Sequence, residues 1–402
     1  MKKISVLALI LALSISLTGC VGGESKLYNA FNKMQDITSI ESKMEMGFTF
    51  EAEGFSEEEQ LMLEQVKAMV NNSKIAMNQK AKYNKEKTVG QAQVDMNMNF
   101  GGMGMDMNVW VDMDMSTDEL KIKEVIKMPQ MLMSSMFPND PAKQYIVLDM
   151  GQMMKEENAE MNFNELMKFG KEFQPKLTEF MKEMQKDFKP GIEVVKQKDS
   201  KVVNKEKLDI YELKMDDAAL KGLVKDAVNY SLDKKEVIEF IKEYMNAVMS
   251  VVVLPEGEKE AAEAEVKQGL ADLEKQLPEF KVKFNEFMEK YKDVKILGDK
   301  GIVIEFGINK EGYIVHEVGT IDLRIDLGQI AEVVGEKAPE MKGIIKLGIS
   351  YTSKSYNINS KDVKVEMHKV DEKNSIDYME MMKMQMEQIE KMQNVPVPAP
   401  AK

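Results

Sequence analysis

The chain has 402 residues, of which 44% are hydrophobic and 31% are charged, and its formal net charge is -13. This apolar share supports a sizeable core, and the length fits one large domain or two ordinary ones. A single cysteine excludes an intramolecular disulfide framework, and two histidines leave little for a histidine-based metal site or a Ser-His-Asp arrangement. The acidic balance argues against nucleic acid and against electrostatic attraction to anionic lipid headgroups.

The N-terminus has the pattern of an export signal. Met1-Lys2-Lys3 is a short cationic segment, and the uncharged run over 4–17 is too short to span a bilayer comfortably. Leu17-Thr18-Gly19-Cys20 closes this run and resembles the lipobox of bacterial lipoproteins. An ordinary signal peptide that happens to end in cysteine is the alternative interpretation.

The lipobox resemblance implies a location and a membrane partner. Residues 1–19 would be the signal peptide, Cys20 the lipidated first residue of the mature chain, and residues 20–26 a short tether. Two or more acyl chains give stable anchoring, because one chain binds only marginally. We therefore expect an extracytoplasmic protein that its acyl chains, such as palmitate, hold on the outer face of the cytoplasmic membrane.

The first elements after the tether are predicted to be a helix and a strand. Leu27, Tyr28, Phe31 and Met34 share one helical face. From Ser42 the period changes to two, as in a half-buried strand, with apolar positions Met44, Met46, Phe48 and Phe50. A helix is predicted over 57–70, and strands resume near Ser73.

Two alternating runs flank Gly101-Gly102 and predict a β-hairpin. A tight two-residue turn needs positive φ, which glycine adopts readily. The predicted partners are Phe100 with Met103, Met98 with Met105, Met96 with Met107, and Val94 with Val109. All of these side chains then share one face, and the other face carries Asn97, Asn99, Asp106 and Asn108. A slip by one residue would destroy this agreement.

The middle of the chain is predicted to continue with strands and helices. Strands are expected over 120–127, 144–150, 193–203 and 207–215, and a helix is expected over 162–188. A mostly helical block follows over 216–291. Its apolar stripe fits one amphipathic helix or two helices divided near Pro278.

The C-terminal part returns to strands, expected over 302–308, 313–318, 321–327, 344–356 and 363–370, with a hairpin turn at 309–312. A final methionine-rich helix is predicted from Ser375 to Gln393, within a C-terminal region spanning 373–393. The proline-rich residues 394–402 are expected to be disordered.

Three features now coincide: the lipobox, an N-terminal helix before a long antiparallel meander, and helices that could cover one face before the meander resumes. Together they resemble the LolA/LppX-like bacterial lipoproteins and lipoprotein carriers. Tyr145-Ile146-Val147-Leu148 and Tyr211-Glu212-Leu213 fall where such proteins pass from strand to helix. In that superfamily a curved half-barrel sheet wraps helices, encloses an apolar cavity and carries hydrophobic cargo.

The resemblance implies an α+β fold, with a large curved antiparallel sheet that helices partly wrap. We expect one domain over 27–372, in which the helical block over 216–291 is longer than the usual pattern. The expected function is non-catalytic binding or carriage of a hydrophobic ligand, such as a lipid or a lipoprotein-like cargo. A structural or interaction module of the cell envelope is the alternative.

Methionine is unusually frequent, with 37 residues. Its flexible thioether suits surfaces that accept varied apolar partners. The candidates for lining a ligand cavity are the hairpin side chains of one face, namely Met96, Met98, Phe100, Met103, Met105 and Met107. Simple packing against covering helices is the second interpretation of this cluster, and Cu(I) binding by thioethers is a third.

Enzyme motifs are absent from the sequence: we find no G-x-S-x-G, H-E-x-x-H, Walker A or G-x-G-x-x-G pattern. His316 and His368 lie far apart in the chain, and we interpret them as ordinary surface or edge residues. We therefore expect no catalytic residue, no metal site and no cofactor. Whether Trp110, on the polar register of its strand, meets solvent or another layer stays open.

Overall fold

The computed structural model describes residues 26–117, 121–138, 140–156, 163–251, 258–334 and 342–393. The predicted signal peptide, the lipidation candidate Cys20 and the proline-rich tail lie outside these ranges. Within them, the chain forms one large sheet with helices packed against it.

Twelve strands of the described chain form this sheet, in the order β12-β6-β5-β4-β3-β2-β1-β11-β10-β9-β8-β7. The strands are β1 (Ser39–Glu53), β2 (Lys74–Tyr83), β3 (Val89–Phe100), β4 (Met103–Asp114), β5 (Lys121–Lys127), β6 (Tyr145–Asp149), β7 (Val195–Val203), β8 (Glu206–Met215), β9 (Leu297–Ile308), β10 (Ile314–Asp326), β11 (Ile344–Tyr356) and β12 (Ser375–Asp377). The sheet is open and mostly antiparallel, and β12 pairs with β6 in parallel. The predicted α+β class with a large antiparallel sheet is therefore confirmed.

Two antiparallel meanders meet in the middle of the sheet. Strands β1 to β6 follow one another across one half, and β7 to β11 follow one another across the other. The halves join where β1 pairs with β11, from Glu41 opposite Tyr356 to Glu53 opposite Ile344. An ion pair of 2.6 Å between Lys346 Nζ and Glu53 Oε1 also crosses this junction and connects residues 293 positions apart.

The helices of the described chain connect or flank these strands. They are α1 (Lys26–Gln35), α2 (Glu57–Asn71), α3 (Gln130–Met136), α4 (Met150–Glu156), α5 (Phe163–Asp187), α6 (Asp217–Asp233), α7 (Lys235–Val251), α8 (Glu258–Lys290), α9 (Leu327–Val334) and α10 (Tyr378–Gln393). The predicted helix over 57–70 is α2, which starts with a capping box between Ser56 and Glu59. The long helix α8 contains Pro278 without a break, so one helix rather than two occupies that stretch.

The predicted hairpin is confirmed pair by pair. Strands β3 and β4 place Phe100 opposite Met103 and Met96 opposite Met107, around Gly101 and Gly102 with φ values of 57° and 89°. The polar side chains lie on the other face, where hydrogen bonds join neighbouring strands: Asn97 Nδ2 to Asp106 Oδ1 at 2.6 Å and Asn108 Nδ2 to Asp95 Oδ1 at 2.7 Å. Register and alternation therefore agree throughout this hairpin.

The separate strands predicted over 313–318 and 321–327 are wrong, because they form the single strand β10 (Ile314–Asp326). Gly319 lies where we placed the break. A side chain at that position would meet the ring of Tyr351, which occupies the space above Gly319. The neighbouring aromatic ring thus replaces the missing side chain and keeps the strand continuous.

The strand predicted over 363–370 is also wrong, since this segment has no strand structure. It packs onto the sheet instead of extending it: Met367 and Val370 contact a buried cluster that includes Trp110 and Val125. Met367 and Val370 are therefore partly buried through side-chain contacts, without backbone pairing. The chain then forms the short edge strand β12, and α10 begins at Tyr378, later than the predicted Ser375.

The largest buried cluster lies where the helices cover β8 and β9. Leu223 of α6 and Ile241 of α7 are fully buried in it, together with Leu213 of β8 and Phe306 of β9. This cluster is the main hydrophobic core of the described chain.

Candidate ligand-binding face

The pairing registers place residues of neighbouring strands in rows across the apolar face of the sheet. Antiparallel partners point to the same side, so the rows can be followed from strand to strand. One continuous row consists of Met107, Met96, Met77 and Met44 on β4, β3, β2 and β1. With strands about 4.8 Å apart, this row is about 14 Å long. One leaflet of a bilayer core has a similar depth, roughly half of ~30 Å.

A second row runs beside the first, two residues further along each strand: Met105, Met98, Ile75 and Met46. We call the eight side chains of these two rows the methionine face. All eight are half-buried. Thioethers are polarizable and unbranched, so this face can adjust its shape to different apolar partners.

Helices cover the same side of the sheet at both ends of these rows. Toward the β12 edge, Ile146 of β6 packs with Met133 of α3 in a buried cluster. Toward the β7 edge, Phe306 of β9 makes an edge-to-face contact with Phe31 of α1, with ring centroids 5.3 Å apart. No member of the methionine face belongs to the three buried clusters of the described residues or packs against them. The face therefore lies between two filled regions.

The structure brings most of the predicted cavity candidates together. Met96, Met98, Met105 and Met107 are members of the methionine face, and Phe100 is half-buried at the end of β3. Met103 lies at the tip of the hairpin, where it is 57% exposed. Sequence reasoning missed the contributions of β1 and β2, because their pairing with the hairpin is not visible in local periodicity.

Glu317 is a charged side chain on the same side of the sheet as the methionine face. The row that contains Met44 continues with Ser353 on β11 and Glu317 on β10, and it then reaches Phe306. Glu317 is half-buried, and burial raises its pKa above the ordinary value. Its register could have been found from the sequence if β10 had been predicted as one strand, because Glu317 alternates in phase with the apolar Ile321 and Leu323.

The two rows consist of seven methionines and one isoleucine. Among the described residues, no group of three or more His, Cys, Asp and Glu side chains is arranged to hold a metal ion. No helix within the described ranges is both long and apolar enough to cross a bilayer.

A shallow depression of about 550 Å³ occurs elsewhere, on helix α8. All of its lining residues belong to that helix, namely Pro278, Lys281, Val282, Asn285, Glu286 and Glu289. It is therefore not the expected space between sheet and helices, and an enclosed apolar cavity stays a prediction.

Trp110 and His368 meet on the opposite side of the sheet. Trp110 is 7% exposed, and the imidazole of His368 stacks against it with ring centroids 4.9 Å apart. His368 also stacks against Tyr145 at 4.7 Å and keeps an exposed edge. Trp110 thus contacts the crossing segment over 363–370, which is a second layer on this side, and not solvent.

Comparisons of the chain with models of protein families, with curated proteins and with solved structures give no match.

Proposed function

We propose that this protein is a lipid-anchored extracytoplasmic binding protein whose methionine face holds the apolar chain of a hydrophobic ligand. The observation that carries the proposal is the continuous row of Met107, Met96, Met77 and Met44 between two helix-covered regions. When a ligand covers apolar surface that is still partly exposed, binding is favoured by roughly 25 cal/mol per Å² of apolar surface removed from water. Ligand sites are typically apolar surfaces with few polar groups.

The anchor in this proposal is Cys20, which lies outside the described residues. The lipobox pattern at Leu17-Thr18-Gly19-Cys20 supports it. Carriage of a lipid or of a lipoprotein-like cargo is the activity that fits both the proposed location at the membrane and the apolar methionine face. No bond has to be made or broken for it.

Native mass spectrometry of residues 21–402, which include every described residue, tests this function. We expect an added mass that organic extraction removes and that matches a lipid. Replacing Met96 and Met107 with glutamine, which is similar in size but polar, should abolish that mass. Met103→Gln is the matched control, because Met103 is on the same hairpin but mostly exposed. A clean protein mass together with failure of added lipids to bind would overturn the proposal.

An interaction module of the cell envelope is the second candidate, and one observation favours it. Helix α2 exposes apolar side chains along its length, with Leu61 72% exposed, and the others are Met62, Val66 and Met69. Exposed apolar stripes of this kind mark surfaces that bind proteins. If lipids do not bind to the methionine face, this candidate becomes the leading one.

Cu(I) binding by the methionines has its own test. Soft thioethers select Cu(I), and Met96, Met98, Met105 and Met107 lie close together on the hairpin. Titration with Cu(I) should distinguish the natural chain from a variant with leucine at these four positions. Equal uptake by both chains would exclude the hairpin as a copper site.

A further inference from the structure

The charged end of the methionine row differs chemically from the rest of the face. Moving along the row from Met44, the next strand carries Ser353 and the one after it carries Glu317. Two strand spacings separate Met44 from Glu317, or about 10 Å. The following residue, Phe306, is already covered by α1. Glu317 therefore lies at the boundary between the covered core and the methionine face.

Within the described residues, no hydrogen bond or ion pair reaches the carboxylate of Glu317, and burial raises its pKa. A buried carboxylate is costly unless it is paired, and most proteins pair such groups. Glu317 is only half-buried, so a molecule that lies on the face can still reach its oxygens.

Tyr351 adds a second polar group at the same place. It lies on β11 opposite Gly319, and its ring covers that glycine. Burial and the nearby charge of Glu317 both raise the pKa of the Tyr351 hydroxyl, so the phenol stays protonated at neutral pH. The hydroxyl can donate or accept a hydrogen bond. Glu317 and Tyr351 thus form a small polar group beyond the β1 end of the two apolar rows.

We propose that Glu317, with Tyr351 beside it, binds the positively charged amine head of an amphiphile whose chain lies along the methionine row. This inference rests on the proposed function and names its substrate class, which is a primary-amine lipid. The row offers about 14 Å of apolar length for the chain, and the carboxylate follows within about 10 Å of its end. One polar group at the end of an apolar track fixes the orientation of a ligand.

Charge complementarity favours an amine over other head groups. An ammonium has three hydrogen-bond donors, and a carboxylate accepts them in short charge-assisted bonds. A carboxylate or phosphate head would instead meet the negative charge of Glu317 at close range, in surroundings that screen it less than water does. A neutral hydroxyl head can donate only uncharged hydrogen bonds to the carboxylate, which are weaker than those of an ammonium.

Isothermal titration with three amphiphiles of equal chain length tests this inference. Dodecylamine, monolaurin and laurate carry a cationic, a neutral and an anionic head, and each is used below its micelle concentration with residues 21–402. We expect dodecylamine to bind about tenfold or more tightly than monolaurin, as charged hydrogen bonds allow. Laurate should bind most weakly.

The variant Glu317→Gln should remove the preference for the amine, because it lowers the affinity for dodecylamine much more than the affinity for monolaurin. Glu45→Gln is the matched control, because Glu45 follows Met44 on β1 but points to the opposite side of the sheet and is exposed. The control should keep the preference.

The outcomes separate this inference from the function on which it rests. If all three amphiphiles bind with equal affinity, or if Glu45→Gln and Glu317→Gln reduce the amine preference equally, the assignment to Glu317 is wrong while chain binding stands. If none of the three binds, the proposed function itself fails. The assignment is supported if Glu317→Gln loses the amine preference while Glu45→Gln keeps it.

Discussion

Two regions on the same side of the sheet differ in how far their apolar side chains are buried. On β8 and β9, Leu213 and Phe306 are buried beneath helices that contribute fully buried branched side chains such as Leu223. On β3 and β4, the same side carries Met96 and Met107, which stay half-buried. Branched and aromatic side chains have few rotamers and pack in one arrangement, whereas methionine adapts. The first region thus provides rigidity, and the second provides an adaptable surface.

The largest effect is expected in the helix-covered region. Leu223 is 0% exposed, so Leu223→Ala leaves a cavity that its neighbours cannot fill completely. We expect the free energy of unfolding to fall by about 3 kcal/mol. Urea denaturation of residues 21–402 measures it. A fall of less than about 1 kcal/mol would show that the helices pack loosely there, and the contrast between the two regions would disappear.

A smaller effect is expected at Asp217, which joins α6 to the start of β9. Its carboxylate accepts hydrogen bonds from the backbone N–H groups of Ile296 at 2.7 Å and Leu297 at 2.9 Å, and it pairs with Lys221 at 2.5 Å. Burial alone would raise the pKa of Asp217, but the hydrogen bonds from Lys221 and from the two backbone groups outweigh it, so the pKa is lowered. We expect Asp217→Asn to cost about 2 kcal/mol at neutral pH.

The stability lost in Asp217→Asn should depend on pH, because the pKa of Asp217 is lowered in the folded state. The folded state holds the proton of Asp217 less tightly than the unfolded chain does. The Asp217 carboxylate therefore stabilises the fold above the unfolded pKa of ~3.9, and this stabilisation is lost as the pH falls through the folded pKa. Acid titration of the melting temperature should therefore bring the variant and the natural chain together. Asp199→Asn is an exposed control that should change nothing. A constant difference at all pH values would contradict this account.

On the methionine face we expect a modest change. Met96 is half-buried, so Met96→Ala should lower the free energy of unfolding by about 1 kcal/mol, less than the loss at a fully buried site. Met103→Ala, at the exposed hairpin tip, should have almost no effect. The same urea denaturation measures both. If Met96→Ala were as costly as Leu223→Ala, the face would be part of a filled core, and the surface that the binding proposal requires would not exist.

The smallest effect is expected at Glu317, and its sign is opposite to that at Asp217. Burial raises the pKa of Glu317, so the folded chain holds this proton more tightly than the unfolded chain. Stability is therefore greatest below the unfolded pKa and falls as the pH rises through the folded value. We expect Glu317→Gln to flatten this decline in melting temperature, which begins above the unfolded pKa of about 4.3. The neighbouring Tyr351 does not contribute to the decline near neutral pH, because its own pKa is raised above the ordinary tyrosine value. An unchanged pH profile in the variant would show that Glu317 is well solvated.

Local patterns predicted the parts of the fold that depend on neighbouring residues. The glycine pair at 101–102 and the flanking alternation specify the hairpin, because turn geometry and register are settled within a few residues. The same reasoning failed at Gly319, where a ring from another strand supports the chain, and at 363–370, where alternating residues pack on a sheet face instead of pairing. In both cases a distant contact decided the local structure.

The lipobox pattern and the alternation of the hairpin are properties of the chain itself, and they predicted an exported protein with methionines gathered on one face of a hairpin. The α+β class was predicted from the order of helices and strands and the resemblance that this order carries. The row that reaches Met44 and Glu317 depends instead on β1 pairing with β11, whose residues are far apart in sequence. Periodicity states which side of a strand is apolar, but not which strand lies next to it. That choice is made by the folded sheet, where burying the apolar side in one continuous layer selects the neighbours.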